Sequence, residues 1–147
     1  MRHIALVENS STIFRGTIRD NLTRFGLVSE DEVRSIGEWL GIDSIIADLP
    51  AGLNTFLEGS DSDSLPPGLK QKIAIARALA PRPKIILFDN AEQAIDLKGY
   101  HELYRLLGRI KGRATMIIMS DDMNFRSLAD THYQLTPQGL RFLNALE

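Results

Sequence analysis

The chain of 147 residues has no cysteine, which excludes disulfide staples and thiolate metal sites. It has no apolar run approaching the roughly 18 to 20 residues of a membrane-crossing helix. Its first residues, MRHIALVENSS, lack the apolar core of a secretory signal. Neither sign of charge dominates: 17 Lys and Arg stand against 19 Asp and Glu, a formal net charge of -2. That balance disfavours nucleic-acid binding, which shows as a clustered basic face. No internal repeat occurs, and biased composition is confined to the acidic stretch EGSDSDS at 58–64. These absences lead to the expectation of a soluble, cytoplasmic-type chain, long enough for one domain with a modest core.

What is present alternates in period. HIALV (3–7) is a short apolar run that predicts a strand, and GTIRDNLTRFG (16–26) predicts a short helix ending near Gly26. In SEDEVRSIGEWLGI (29–42), Ser29 with Glu32 three residues on forms a capping box, and Val33, Ile36, Trp39 and Leu40 recur at helical spacing. Trp39 therefore reads as helical core. DSIIADL predicts a further helical turn before Pro50. GLKQKIAIARALA (68–80) is Ala-rich, carries Leu69, Ile73, Ala76 and Leu79 at packing intervals, and is stopped by PRP. KIILF (84–88) reads as a strand covered on both faces. YHELYRLLGRI (100–110) is amphipathic, ATMIIMS (114–120) reads as another buried strand, and THYQL with LRFLN reads as a hairpin. Strands alternating with helices give an α/β fold with a mainly parallel sheet. His3, His101 and His132 show no shared metal-ligand spacing and read as structural or surface residues.

The order of several motifs carries more. STIFRGTIRDNL (11–22), LPAGLNTFLEG (49–59), LPPGLKQKIAIARALAPRPKIILFDNAEQAID (65–96) and TMIIMSDD (115–122) follow one another in this sequence. In that order they resemble the stretch after the Q-loop, the stretch before the signature motif, the signature with its helix, Walker B strand and D-loop, and the strand and turn that present a histidine, in the nucleotide-binding domain of exporter-type ABC transporters. The resemblance covers nearly the whole chain. It implies a P-loop NTPase-like parallel sheet flanked by helices, with a helical subdomain and a C-terminal β-hairpin. Residues 1–147 then form a single partial cassette domain. Its helical and signature subdomain lies at about 15–75, and its core sheet and helices at 1–14 and 76–147.

The family's phosphate-gripping loop, G-x-x-x-x-G-K-S/T, does not occur in these residues. The chain thus resembles the C-terminal part of such a domain, beginning just before the Q-loop. Glu8 stands at the family's magnesium-contacting glutamine, and a carboxylate there can bind Mg²⁺. The signature, L-S-G-G-Q in the family, is here Leu65, Pro66, Pro67, Gly68 and Leu69. In the family its hydroxyl and amides hold the γ-phosphate of the ATP on a partner domain, as exposed N–H groups at a helix start can. Pro66 and Pro67 have no N–H to offer, and Asp61 and Asp63 would repel phosphate. Prolines suit a first helical turn, with Ser64 as its cap. Asp89, at the Walker B position, is intact and could hold a magnesium-bound water. Asn90 stands at the catalytic glutamate, where an amide can position water but not accept its proton. The D-loop aspartate is retained as Asp96, and Asp121 stands at the switch histidine, followed by Asp122.

The strand ends should gather Glu8, Asp89, Asn90, Asp121 and Asp122 on one rim. Carboxylates brought together there should raise one another's pKa or take a divalent cation.

The expected function is a degenerate cassette domain of an ABC exporter, catalytically inactive and serving as a structural or regulatory partner in transport. ATP and Mg are the family's cofactors and are expected not to bind this chain tightly. The expected partners are a transmembrane domain, a second nucleotide-binding domain and other copies of the chain, at the cytoplasmic face of a membrane. Two alternatives remain open. One is the C-terminal part of an active, ATP-hydrolysing export ATPase. The other is a cassette ATPase fragment of the DNA-maintenance kind, disfavoured by the acidic balance.

Overall fold

The computed structural model of the chain describes residues 3–59, 65, 66 and 68–143. Three parallel strands form its sheet, in the order β1 (Ile4–Glu8), β4 (Ile85–Asp89), β5 (Thr115–Met119). Two-residue strands β2 (Gly16–Thr17) and β3 (Phe56–Leu57) pair antiparallel, and β6 (His132–Thr136) and β7 (Gly139–Leu143) form the C-terminal hairpin.

Between β1 and β4 the chain is helical: α1 (Ile18–Thr23), α2 (Glu30–Trp39), α3 (Ile42–Ala47) and α4 (Leu69–Leu79). α5 (Leu97–Ile110) connects β4 to β5, and the five-residue α6 (Met123–Ser127) follows β5. α1 is shorter than its sequence suggests, because Arg24 (φ 55°) and Phe25 (φ 57°) take left-handed backbone and end it before Gly26. The capping box at the start of α2 is present: Ser29 Oγ accepts from the Glu32 N–H, and the Glu32 carboxylate accepts from the Ser29 N–H at 3.0 Å. α6 and the small β2–β3 pair were not legible in the sequence, being too short to show a period.

One face of the sheet is packed. Ala5 and Val7 of β1 and Ile86 and Phe88 of β4 are buried against α4, α5 and α6, where the Phe88 and Phe125 rings stack at 5.3 Å. The other face is not. Ile4 is 57% exposed, Leu6 51%, Ile117 53% and Met119 49%. The expectation of strands covered on both faces is therefore wrong. Burial along β4 alternates, because among the described residues helices lie on one side only. Trp39 sits half-buried against the core under the Arg109 guanidinium, 5.0 Å from the ring centre. His3 and His101 are exposed and His132 half-buried, on a strand start, a helix and the hairpin.

Candidate functional site

Parallel register brings the strand ends together. Glu8 pairs directly beside Asp89, and Asp89 beside Met119, so the C-terminal rim of the sheet carries two carboxylates on adjacent strands. By alternation both lie on the uncovered face, in line with Leu6 and Leu87. Two carboxylates so placed suit Mg²⁺ when water and phosphate oxygens complete its shell. Among the described residues no group of three or more acidic or histidine side chains could hold a metal by itself.

Asn90 follows at once, in left-handed backbone with φ 48°. Its Nδ2 donates to Asp89 Oδ1 at 3.0 Å, and its Oδ1 accepts from Gln93 Nε2 at 3.3 Å. Asp96 lies further on and caps α5, accepting from the Gly99 N–H at 2.9 Å.

Past β5, Asp121 is exposed, whereas Asp122 turns inward as the cap of α6. Asp122 Oδ1 accepts from Tyr100 Oη at 2.8 Å and from the N–H groups of Asn124 and Phe125. These bonds, the phenol first and the backbone after it, hold its carboxyl below the usual aspartate range against the opposing effect of burial. The expected upward shift on the rim is thus reversed at Asp122, since hydrogen bonds to the charged form outweigh burial. Burial in turn pushes the Tyr100 phenol up.

The signature stretch lies at the head of α4. Gly68 is its N-cap, with φ 79° and no side-chain cap, and the Leu69 N–H donates to the Pro66 carbonyl at 3.1 Å. Leu65 and Pro66 are half-buried and Leu69 is fully buried in the core. Ser64, Pro67, Asp61 and Asp63 lie outside the described residues.

Two rim residues escaped the sequence reading. Gln71 is 2% exposed, and its Nε2 donates to the Glu8 carbonyl at 2.8 Å and to the Ala91 carbonyl at 3.3 Å, tying α4 to both strand ends. Glu92 is buried and accepts from Ser120 Oγ, joining the turn after β4 to the end of β5. The signal at Gln71 was its i, i+4, i+8 spacing with the core residues Ile75 and Leu79; Glu92 gave none.

A parallel sheet flanked by helices, with a polar rim beyond its strand ends, defines an α/β domain whose site lies at that rim. No protein-family model matches the chain. It is 38% identical over 133 residues to the ABC-type transporter fsqE of Aspergillus fumigatus, covering 88% of this chain and 10% of that protein. To the cyclolysin secretion/processing ATP-binding protein CyaB of Bordetella pertussis it is 35% identical over 131 residues, covering 88% of this chain and 18% of that protein. The structure of a bacterial Atm1-family ABC exporter with ATP bound matches with a TM-score of 0.76 and 29% identity, over 88% of this chain and 23% of that one. The chain belongs to the ATP-binding domains of ABC exporters and corresponds to the C-terminal region of such a domain. It spans between a tenth and a fifth of the length of these two relatives.

Proposed function

We propose that this chain is a degenerate cassette domain that does not turn over ATP and serves as a structural or regulatory partner in export. The observation that carries this reading is Asn90. The residue at the position of the catalytic base is an amide, whose nitrogen lone pair is delocalised into its carbonyl, so it cannot take a proton from an attacking water; its Nδ2 instead donates to Asp89. The head of α4 supports the same reading. Pro66 and Pro67 remove N–H groups where a phosphate would be gripped, and Leu69 is committed to the core. Glu8 and Asp89 are the residues that would hold Mg²⁺. They would supply charge neutralisation beside bound phosphates.

In this reading the partners are a transmembrane domain and a second nucleotide-binding domain, met at the cytoplasmic face of a membrane. None of the described helices is long and apolar enough to cross one. The helical subdomain at about 15–75 and the core at 1–14 and 76–147 form one partial domain. A second reading, the C-terminal part of an active export ATPase, is favoured by the intact Asp89 and by Asp96 at the head of α5. Mg-ATP hydrolysis by the full-length protein separates them, turnover favouring the second. Titration calorimetry with Mg-ATP on the chain itself tests the first. The first reading expects no site tighter than millimolar, and a micromolar site would overturn it.

A further inference from the structure

The turn after β5 is held from two directions, each through a hydroxyl group. Ser120 Oγ donates to the Glu92 carboxylate, in the turn after β4, and accepts from the Asp122 N–H at 3.0 Å. Tyr100 Oη, on α5, donates to Asp122 Oδ1 at 2.8 Å and accepts from Asn124 Nδ2 at 2.9 Å. A hydroxyl has one proton to give. Each of these two gives it to a carboxylate and takes a bond back from the turn. Asp122 joins the two halves, its N–H resting on Ser120 and its carboxylate on Tyr100. The same Oδ1 accepts from the N–H groups of Asn124 and Phe125, at 2.8 and 3.1 Å.

An apolar anchor lies beneath. Phe125 is fully buried, stacks on Phe88 at 5.3 Å, and meets the Tyr100 and Tyr104 rings edge-on at 5.1 and 5.8 Å. α6 has five residues, far fewer than the roughly 12 to 15 at which an isolated helix becomes even marginal in water. It exists through these partners. Glu92 depends on them in turn: its second carboxylate oxygen is buried and makes no hydrogen bond among the described residues. The Ser120 bond is therefore what offsets its burial. Asp121, exposed between Ser120 and Asp122, takes no part.

We propose that Glu92, Ser120, Asp122 and Tyr100 form a latch that opens and closes as one unit and fixes the turn bearing Asp121 to the turn after β4 and to α5. Serial hydrogen bonds of this kind reinforce one another in a low-dielectric interior. Segments that follow a ligand are drawn from weakly held structure, and this turn is not weakly held. The latch gives a structural partner its means, a rim turn that keeps one conformation whatever lies beside it. Its role rests on that reading of the domain. The latch itself needs no nucleotide, so its failure would leave the Mg-ATP measurements untouched.

The test is amide hydrogen exchange of the chain, followed residue by residue by NMR. The N–H groups of Asp122, Asn124 and Phe125 should exchange slowly and at one common opening rate. Tyr100→Phe removes a hydroxyl bonded to neither Ser120 nor Glu92. It should nevertheless speed exchange at the Asp122 N–H, which rests on Ser120, as well as at Asn124 and Phe125, each by roughly tenfold or more. Ser120→Ala should speed exchange at Asn124 and Phe125, whereas Ser120→Thr, which keeps the hydroxyl, should not. Combining Tyr100→Phe with Ser120→Ala should add little to either alone, since one unit opens only once. The N–H groups of Val33 and Ile36 in α2 should stay protected throughout, which shows that the fold is intact. Should Ser120→Ala unfold the chain, Tyr100→Phe decides alone. An Asp122 N–H as slow in Tyr100→Phe as in the unaltered chain overturns the proposal. So do fully additive effects, or fast exchange at all three amides before any substitution.

Discussion

Lys72 Nζ lies 2.6 Å from Glu102 Oε2, with both side chains buried, and this ion pair ties α4 to α5 across the core. The backbone at Gly41 closes over it: a Cβ there would collide with the Glu102 carboxylate. Lys72→Met should leave Glu102 buried with only Lys98 Nζ at 4.0 Å to offset it. Removing one member of a buried pair typically costs about 3–5 kcal/mol, and urea unfolding should show a loss of that order. Replacing both members by apolar residues should lose much less. Equal losses in the single and double variants would show that packing, not charge, is at stake.

Leu69 stands where the family signature has its glutamine, yet it is fully buried. Leu69→Gln should not rebuild a phosphate site. It should destabilise the fold by about 1–3 kcal/mol, the cost of burying an amide without partners. Thermal unfolding measures this directly, and an unchanged midpoint would mean that the helix head can rotate the side chain out to solvent.

Asn90 holds φ 48°, a left-handed conformation that asparagine tolerates better than most residues. Asn90→Glu, which supplies the missing base, should cost about 1–2 kcal/mol for that backbone. It should release no phosphate from ATP in this chain. Detectable hydrolysis would show that the rim lacks only its base.

Asp122 should make the chain acid-sensitive. Its carboxyl is held below the ordinary aspartate value, chiefly by the Tyr100 hydroxyl and then by the N–H groups at the head of α6. A carboxylate with a depressed folded value contributes stability above its unfolded pKa and loses it as pH falls through the folded one. The loss should therefore appear below about pH 4. Asp122→Asn should reduce the stability at neutral pH and flatten its acid dependence. An acid limb of unchanged steepness in that variant would assign the effect to other carboxylates, with Asp20 and Glu32 in their capping boxes the first to examine.

Elements defined by neighbours in the chain were legible in the sequence, because their physics is local. The capping box of Ser29 and Glu32 spans three residues, the α4 stripe repeats along one helix, and the runs IALV, IILF and TMIIM are each a strand. The motif order that marks the family is likewise a linear property. Tertiary structure alone decided what depends on distant partners. Strand register set Glu8 beside Asp89 across 81 positions of chain. A contact 63 residues long brought Gln71 to the strand ends, and one 22 residues long tied the Asp122 carboxylate to the Tyr100 hydroxyl. Burial followed the same logic. IILF and TMIIM are apolar on both sides as sequence, but whether each side is covered depends on which elements stack against it, and the described helices stack on one.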